Sequence, residues 1–182
     1  MGRTYLRMPG VRRLEYLVAF LESHRNNEID EEQAYKAVQQ QLHRLELEKA
    51  RALGRQRPRT HKGTETVKEC LRMASQLGFV DNNLRLRHEA QLVLDPNRRR
   101  TIMMERMWAT YPRFQQVLLA VRDHQTLDLP FYDWNDISQD DGNTITSLGL
   151  NRWTFEMIRD LATQLELLNW YPTEQKRQIV YP

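Results

Sequence analysis

Few side chains in this 182-residue sequence are placed to do acid–base, nucleophilic or metal chemistry. His24, His43, His61, His88 and His124 show no ligand spacing with acids or thiols. The one cysteine, Cys70, falls on the apolar side of a helical pattern and reads as a buried thiol. Asp133, Asp136, Asp140 and Asp141 cluster in a hydrophilic stretch, but Asp140-Asp-Gly-Asn lacks the alternating acids of a calcium loop. No glycine-rich phosphate loop and no local Ser/His/Asp or Cys/His signature occurs. The expectation is a non-enzyme, with no catalytic residue, no metal and no cofactor.

The chemistry that remains is recognition of charge. Residues 1–100 hold 20 Lys and Arg against 13 Asp and Glu, a net +7, whereas residues 101–182 hold 7 against 11, a net −4. A split of this kind points to different partners for the two halves, the first of them polyanionic. Its densest stretch is RALGRQRPRTHK, with Arg51, Arg55, Arg57, Arg59 and Lys62 and no acid. Such a stretch buries too little apolar surface to order itself and reads as a solvated loop.

The element that must position the rest is Thr64 to Val80. Val67, Cys70, Leu71, Ala74 and Leu77 recur at helical spacing, Thr64 is a suitable N-cap, and Gly78 signals the end. Glu65, Lys68, Glu69, Arg72 and Gln76 form the opposite, polar stripe. Leu84-Arg-Leu-Arg and Gln91-Leu-Val-Leu alternate as the strands of a hairpin would. Upstream, a basic arm with Arg3 and Arg7 leads into a helix over Val11–Glu22 and a second opening at Asp30. Downstream, Asp95-Pro96 opens a helix over 96–110, Tyr111-Pro112 breaks it, and Phe114–Asp123 makes the next. Asn151–Trp170 reads as one long helix, Pro130–Gln139 as a short helix or turn, and Arg177–Tyr181 as a closing strand.

An internal repeat ties these together. At a shift of 88 positions Ala74, Gln76 and Leu77 coincide with Ala162, Gln164 and Leu165, and Ser75 meets Thr163. The earlier helices match at a shift of 100, with Leu14, Leu17 and Val18 over Phe114, Val117 and Leu118. The difference equals the length of the basic loop, which makes that loop an insertion in the first copy.

Helix, Leu-Gly-Phe-Val, turn and hairpin together resemble the recognition helix and wing of a winged helix-turn-helix domain, and the repeat makes the chain similar to tandem winged-helix proteins. The resemblance implies a mainly α fold with small β wings: a basic module over 1–95 with its insertion at 51–62, a linker helix over 96–110, and an acidic module over 111–182. It also implies nucleic-acid contact, duplex DNA before RNA, in a transcriptional regulator or a DNA-engaging subunit. The contact residues would be Thr64, Lys68, Arg72 and Gln76 on the helix and Arg85 and Arg87 on the wing. Arg98, Arg99 and Arg100 beyond it and the basic insertion would complete the set. Glu65 and Glu69 oppose phosphates unless they pair with Lys68 and Arg72 or accept from a cytosine amino group.

In the second copy the outward stripe becomes Trp153, Glu156, Met157, Asp160 and Gln164. Two acids and two large apolar groups suit a protein surface, so Trp153, Glu156, Met157 and Asp160 are expected to face a partner subunit or a second copy. The alternative for the whole chain is a helical adaptor of a nucleoprotein or defence complex, holding RNA or protein. With no apolar run of membrane-spanning length, no secretory h-region and no disulfide framework, a cytoplasmic location and no membrane contact are expected.

Overall fold

The computed structural model describes residues 7–24, 31–52, 54, 63–124, 126–128, 150, 152–172 and 177–180. The described chain is mainly helical and divides into two compact units, Pro9–Arg106 and one built on Met107–Pro182. No helix among these residues is long and apolar enough to cross a membrane.

The first unit holds α1 (Leu14–Ser23), α2 (Glu31–Ala52), α3 (Gly63–Gln76), α4 (His88–Leu94) and the start of α5 (Pro96–Thr110). Helix α1 packs against α2, α3 and α4, and α2 also packs against α3. Leu17, Phe20 and Leu21 of α1, Val38 of α2, and Cys70, Met73 and Leu77 of α3 are fully or almost fully buried, forming the shared core. The apolar face of α3 is rotated from the expected one: Met73 is sequestered while Leu71 is half-buried. The helix also begins at Gly63, which puts Thr64 inside the first turn and not at the cap.

Gln91–Leu94, expected as a strand, is helical. Leu92 and Leu94 alternate along the sequence, yet the buried residues are Ala90 and Val93, three apart, which is helical spacing. The turn before α4 keeps a single bridge, Val80 to Leu86, and no hairpin follows it in this unit. Pro96 occupies the first position of α5 as expected, and Asp95 Oδ1 caps it by accepting the Asn97 amide at 3.0 Å.

The second unit contains α6 (Pro112–His124), β1 (Thr126–Asp128), α7 (Arg152–Gln164), β2 (Asn169–Pro172) and β3 (Arg177–Val180). Its antiparallel sheet has the order β1–β3–β2, with Leu127 opposite Ile179 and Ile179 opposite Trp170. Helix α6 packs on β1, β3 and α7, and α7 packs on β2. The helix expected to run to Trp170 stops at Gln164, because Glu166 turns left-handed (φ 55°) and the chain re-emerges as β2.

Helices α3 and α7 end in the same way. After α3, the Phe79 amide donates to Ala74 at 2.8 Å and the Gly78 amide to Ser75 at 3.1 Å. After α7, the Leu167 amide donates to Ala162 at 2.8 Å and the Glu166 amide to Thr163 at 3.0 Å. Each is a Schellman cap, with one left-handed residue closing the helix. The expected turn at residues 25–28, the cap at Asp30, the stretches 55–62 and 130–143, and Tyr181 lie outside the described residues.

Candidate nucleic-acid interface

Helix α3 is held by its apolar side, which leaves the polar stripe outward. Thr64, Glu65, Lys68 and Arg72 are exposed, Glu69 and Gln76 half-buried. Glu69 is not a loose acid among the cations. One of its oxygens accepts the backbone amide of Gly10, and the other holds the Arg72 guanidinium at 2.7 Å. The acid therefore fastens the segment before α1 to α3 and partly neutralises Arg72, a pairing the i, i+3 spacing allows.

Beyond Gly78 the chain makes a tight, heavily bonded turn. Asp81 Oδ1 accepts the amides of Asn83 at 2.8 Å and Arg85 at 2.9 Å. The Asp81 amide donates to the Arg85 carbonyl at 2.9 Å, the Leu84 amide to the Asp81 carbonyl at 3.0 Å, and the Arg87 amide to Phe79 at 2.9 Å. These amides, the Arg85 one first, hold the Asp81 carboxyl below its ordinary range, and the nearby Arg85 and Arg87 charges act in the same direction. The turn presents Asn82, Asn83, Leu84, Arg85 and Arg87 outward. Leu84 is 39 % exposed and left-handed at φ 60°.

The arginines of the run 98–100 on α5 have separate surroundings. Arg99 is half-buried and donates to the carbonyls of Val93 at 2.9 Å and Leu94 at 3.3 Å, closing the end of α4. Arg98 and Arg100 are exposed, Arg98 with Asp95 at 3.7 Å. Arg106 is a contributor the sequence did not single out. Its guanidinium pairs with Glu89 at 2.9 Å, binding α5 to α4. The Glu89 carboxyl is held below its ordinary range, first by its own backbone amide and then by Arg106. Of the basic insertion, Arg51 is exposed at the end of α2, while Arg55, Arg57, Arg59 and Lys62 lie outside the described residues.

The second stripe departs from expectation. Trp153 is 42 % exposed, but Met157 is fully buried and Glu156 nearly so, so no patch joins Trp153 to Met157. Phe155, Glu156, Met157 and Ile158 are consecutive and all buried, and successive helical residues point about 100° apart. Such a helix is covered on most sides, which a one-faced pattern could not anticipate. Asp160 is half-buried beside Arg159, whose Nε and Nη2 donate to Oδ1 at 3.0 and 2.6 Å.

Among the described residues, no three His, Cys, Asp or Glu side chains come together to hold a metal ion. Cys70 is buried, and desolvation, aided by the Glu69 charge, pushes its thiol far above the ordinary value. Compared with models of known families, with curated proteins and with solved structures, the chain matches none.

Proposed function

We propose that this chain is a non-catalytic nucleic-acid-binding protein that engages duplex DNA through the unit Pro9–Arg106, as a transcriptional regulator or the DNA-engaging subunit of a larger assembly. The observation that carries the reading is the passage from the exposed stripe of α3 into a bonded turn that presents Arg85 and Arg87 outward. Backbone phosphates are the groups such arginines hold, and a helix beside them is the element that enters the major groove. On this reading the units are winged-helix-like modules of one repeat. The matched helix caps support the repeat, and the β1–β3–β2 sheet beside α6 and α7 supports a wing in the second module. In the first module the compact turn takes the wing's place. The second module serves a partner subunit or a second copy, through the face that carries Trp153.

The test is a titration of the full chain with duplex DNA over a range of salt. Affinity falls steeply with salt, and the double substitution Arg85→Ala, Arg87→Ala flattens the slope of log affinity against log salt by nearly two. Binding that ignores salt, or that the double variant leaves intact, overturns the assignment.

One observation favours the adaptor reading. The Glu69 pairing draws Arg72, the residue best suited to read guanine, towards its own helix. Tighter binding to single-stranded RNA than to any duplex sequence would select that reading.

A further inference from the structure

We propose that Leu84 is an apolar wedge that enters the stack of duplex DNA at a pyrimidine–purine step, while Arg85 and Arg87 hold the flanking phosphates. The inference rests on the DNA-binding reading above and adds its mode. Among the described residues, Leu84 and Trp153 are the large hydrophobic residues that stand exposed, and a single exposed leucine is ordinary. Its backbone is not. At φ 60° the chain is left-handed, a region that disfavours side chains with a β-carbon and that glycine or asparagine occupies at lower cost. Asparagines stand at 82 and 83, yet the left-handed position itself carries leucine.

The turn fixes this unfavourable arrangement. Asp81 takes the amides on both sides of Leu84, those of Asn83 and Arg85, and the Leu84 amide returns to the Asp81 carbonyl. A wedge needs such support, because unstacking bases costs free energy that a yielding loop would avoid by folding away. The surroundings suit DNA better than an apolar pocket on a protein. Arg85 and Arg87 follow the leucine and Asn82 and Asn83 precede it, all exposed, and the Asp81 carboxylate is turned onto the turn's own amides. Leucine is among the side chains that part base steps, and pyrimidine–purine steps part most easily.

The experiment uses the full chain, a duplex with a central TA step carrying a fluorescent adenine analogue, and end labels that report bending by energy transfer. Leu84→Gly and Leu84→Asn both remove the wedge and both suit the left-handed backbone, so the fold is retained or gains stability. The wild type raises the analogue's fluorescence and bends the duplex by about 20–90°. The two variants bind with salt dependence unchanged but leave the analogue stacked and the duplex straight. A bend that persists in both variants, or bound wild-type DNA that is straight and stacked, overturns the wedge while leaving the DNA reading in place. No duplex binding by the wild type removes both together. If the variants lose self-association instead of DNA bending, the leucine serves a protein contact and the proposal fails.

Discussion

Gly78 and Glu166 stand 88 residues apart and close α3 and α7 in the same left-handed conformation, at φ 74° and 55°. The glycine carries no penalty there, whereas the glutamate does, since a β-carbon in this region costs roughly 1–2 kcal/mol. Opposite effects follow from adding a β-carbon at one site and removing it at the other. Gly78→Ala should lower stability by about 1 kcal/mol. The new methyl would meet Arg106 at 3.7 Å, an ordinary contact, so the loss is conformational. Glu166→Gly should raise stability by up to about 1 kcal/mol, less the entropy a glycine adds to the unfolded chain. Thermal melting of the two variants checks the signs, and a loss in both would separate the caps energetically.

The same pair shows what could be read from the sequence. Gly78 announces its cap by residue type, so the end of α3 is legible in the sequence. Glu166 announces nothing, and the periodicity therefore carries the expected helix on to Trp170, past its end at Gln164 and into β2. Gln91–Leu94 failed for another reason. The short apolar run Leu92-Val93-Leu94 fits a strand as well as a helix, while the helical spacing of Ala90 and Val93 appears only once burial is known. At the candidate site, the outward stripe of α3 was legible from periodicity. The anchoring of Glu69 was not, because its partner Gly10 is distant in sequence and offers only a backbone amide.

If α3 contacts DNA as proposed, that anchoring should make stability and DNA binding move apart. Glu69→Ala frees Arg72 and leaves the Gly10 amide without its acceptor. The lost hydrogen bond should cost about 1–3 kcal/mol of stability. Binding to duplex DNA should nevertheless strengthen, with a salt slope steeper by about one phosphate, because an acid leaves the stripe and an arginine is released. Melting and salt-dependent titration of one protein sample measure both. Weaker binding at unchanged slope would place Arg72 outside the interface.

Alkaline pH should unfold the chain early. Burial pushes the Cys70 thiol far above its ordinary 9.0 and the Tyr111 phenol far above its ordinary 10.0. Below those values both groups are protonated in the folded and unfolded chains, and their contribution is fully present. Above them the unfolded chain releases protons that the folded one keeps, so stability falls by up to about 1.4 kcal/mol per pH unit for each group. Denaturant melts at rising pH should show the loss beginning near 9, and Cys70→Ala should delay its onset. Thiol reagents should modify Cys70 only as the protein unfolds.

Trp153 and Met157 should separate association from folding. They lie one helical turn apart on α7, yet the tryptophan is 42 % exposed and the methionine fully buried. Met157→Ala should therefore cost about 2–5 kcal/mol of stability through the cavity it leaves. Trp153→Ala removes a side chain that is exposed over much of its surface, and should shift stability by only about 0.5 kcal/mol. If the face of α7 meets a partner subunit or a second copy, Trp153→Ala should weaken that association by about 2 kcal/mol or more, as the loss of a binding hot spot does. Glu156 is too deeply buried to border such a contact, and Asp160 is partly neutralised by Arg159, so the charge opposing DNA here is weaker than the sequence implies. Sedimentation over a concentration series, alone and with duplex DNA, reports association, and melting of the same samples reports folding. A Trp153→Ala protein that melts far below the wild type with unchanged sedimentation would make the tryptophan a structural residue and end the interface assignment.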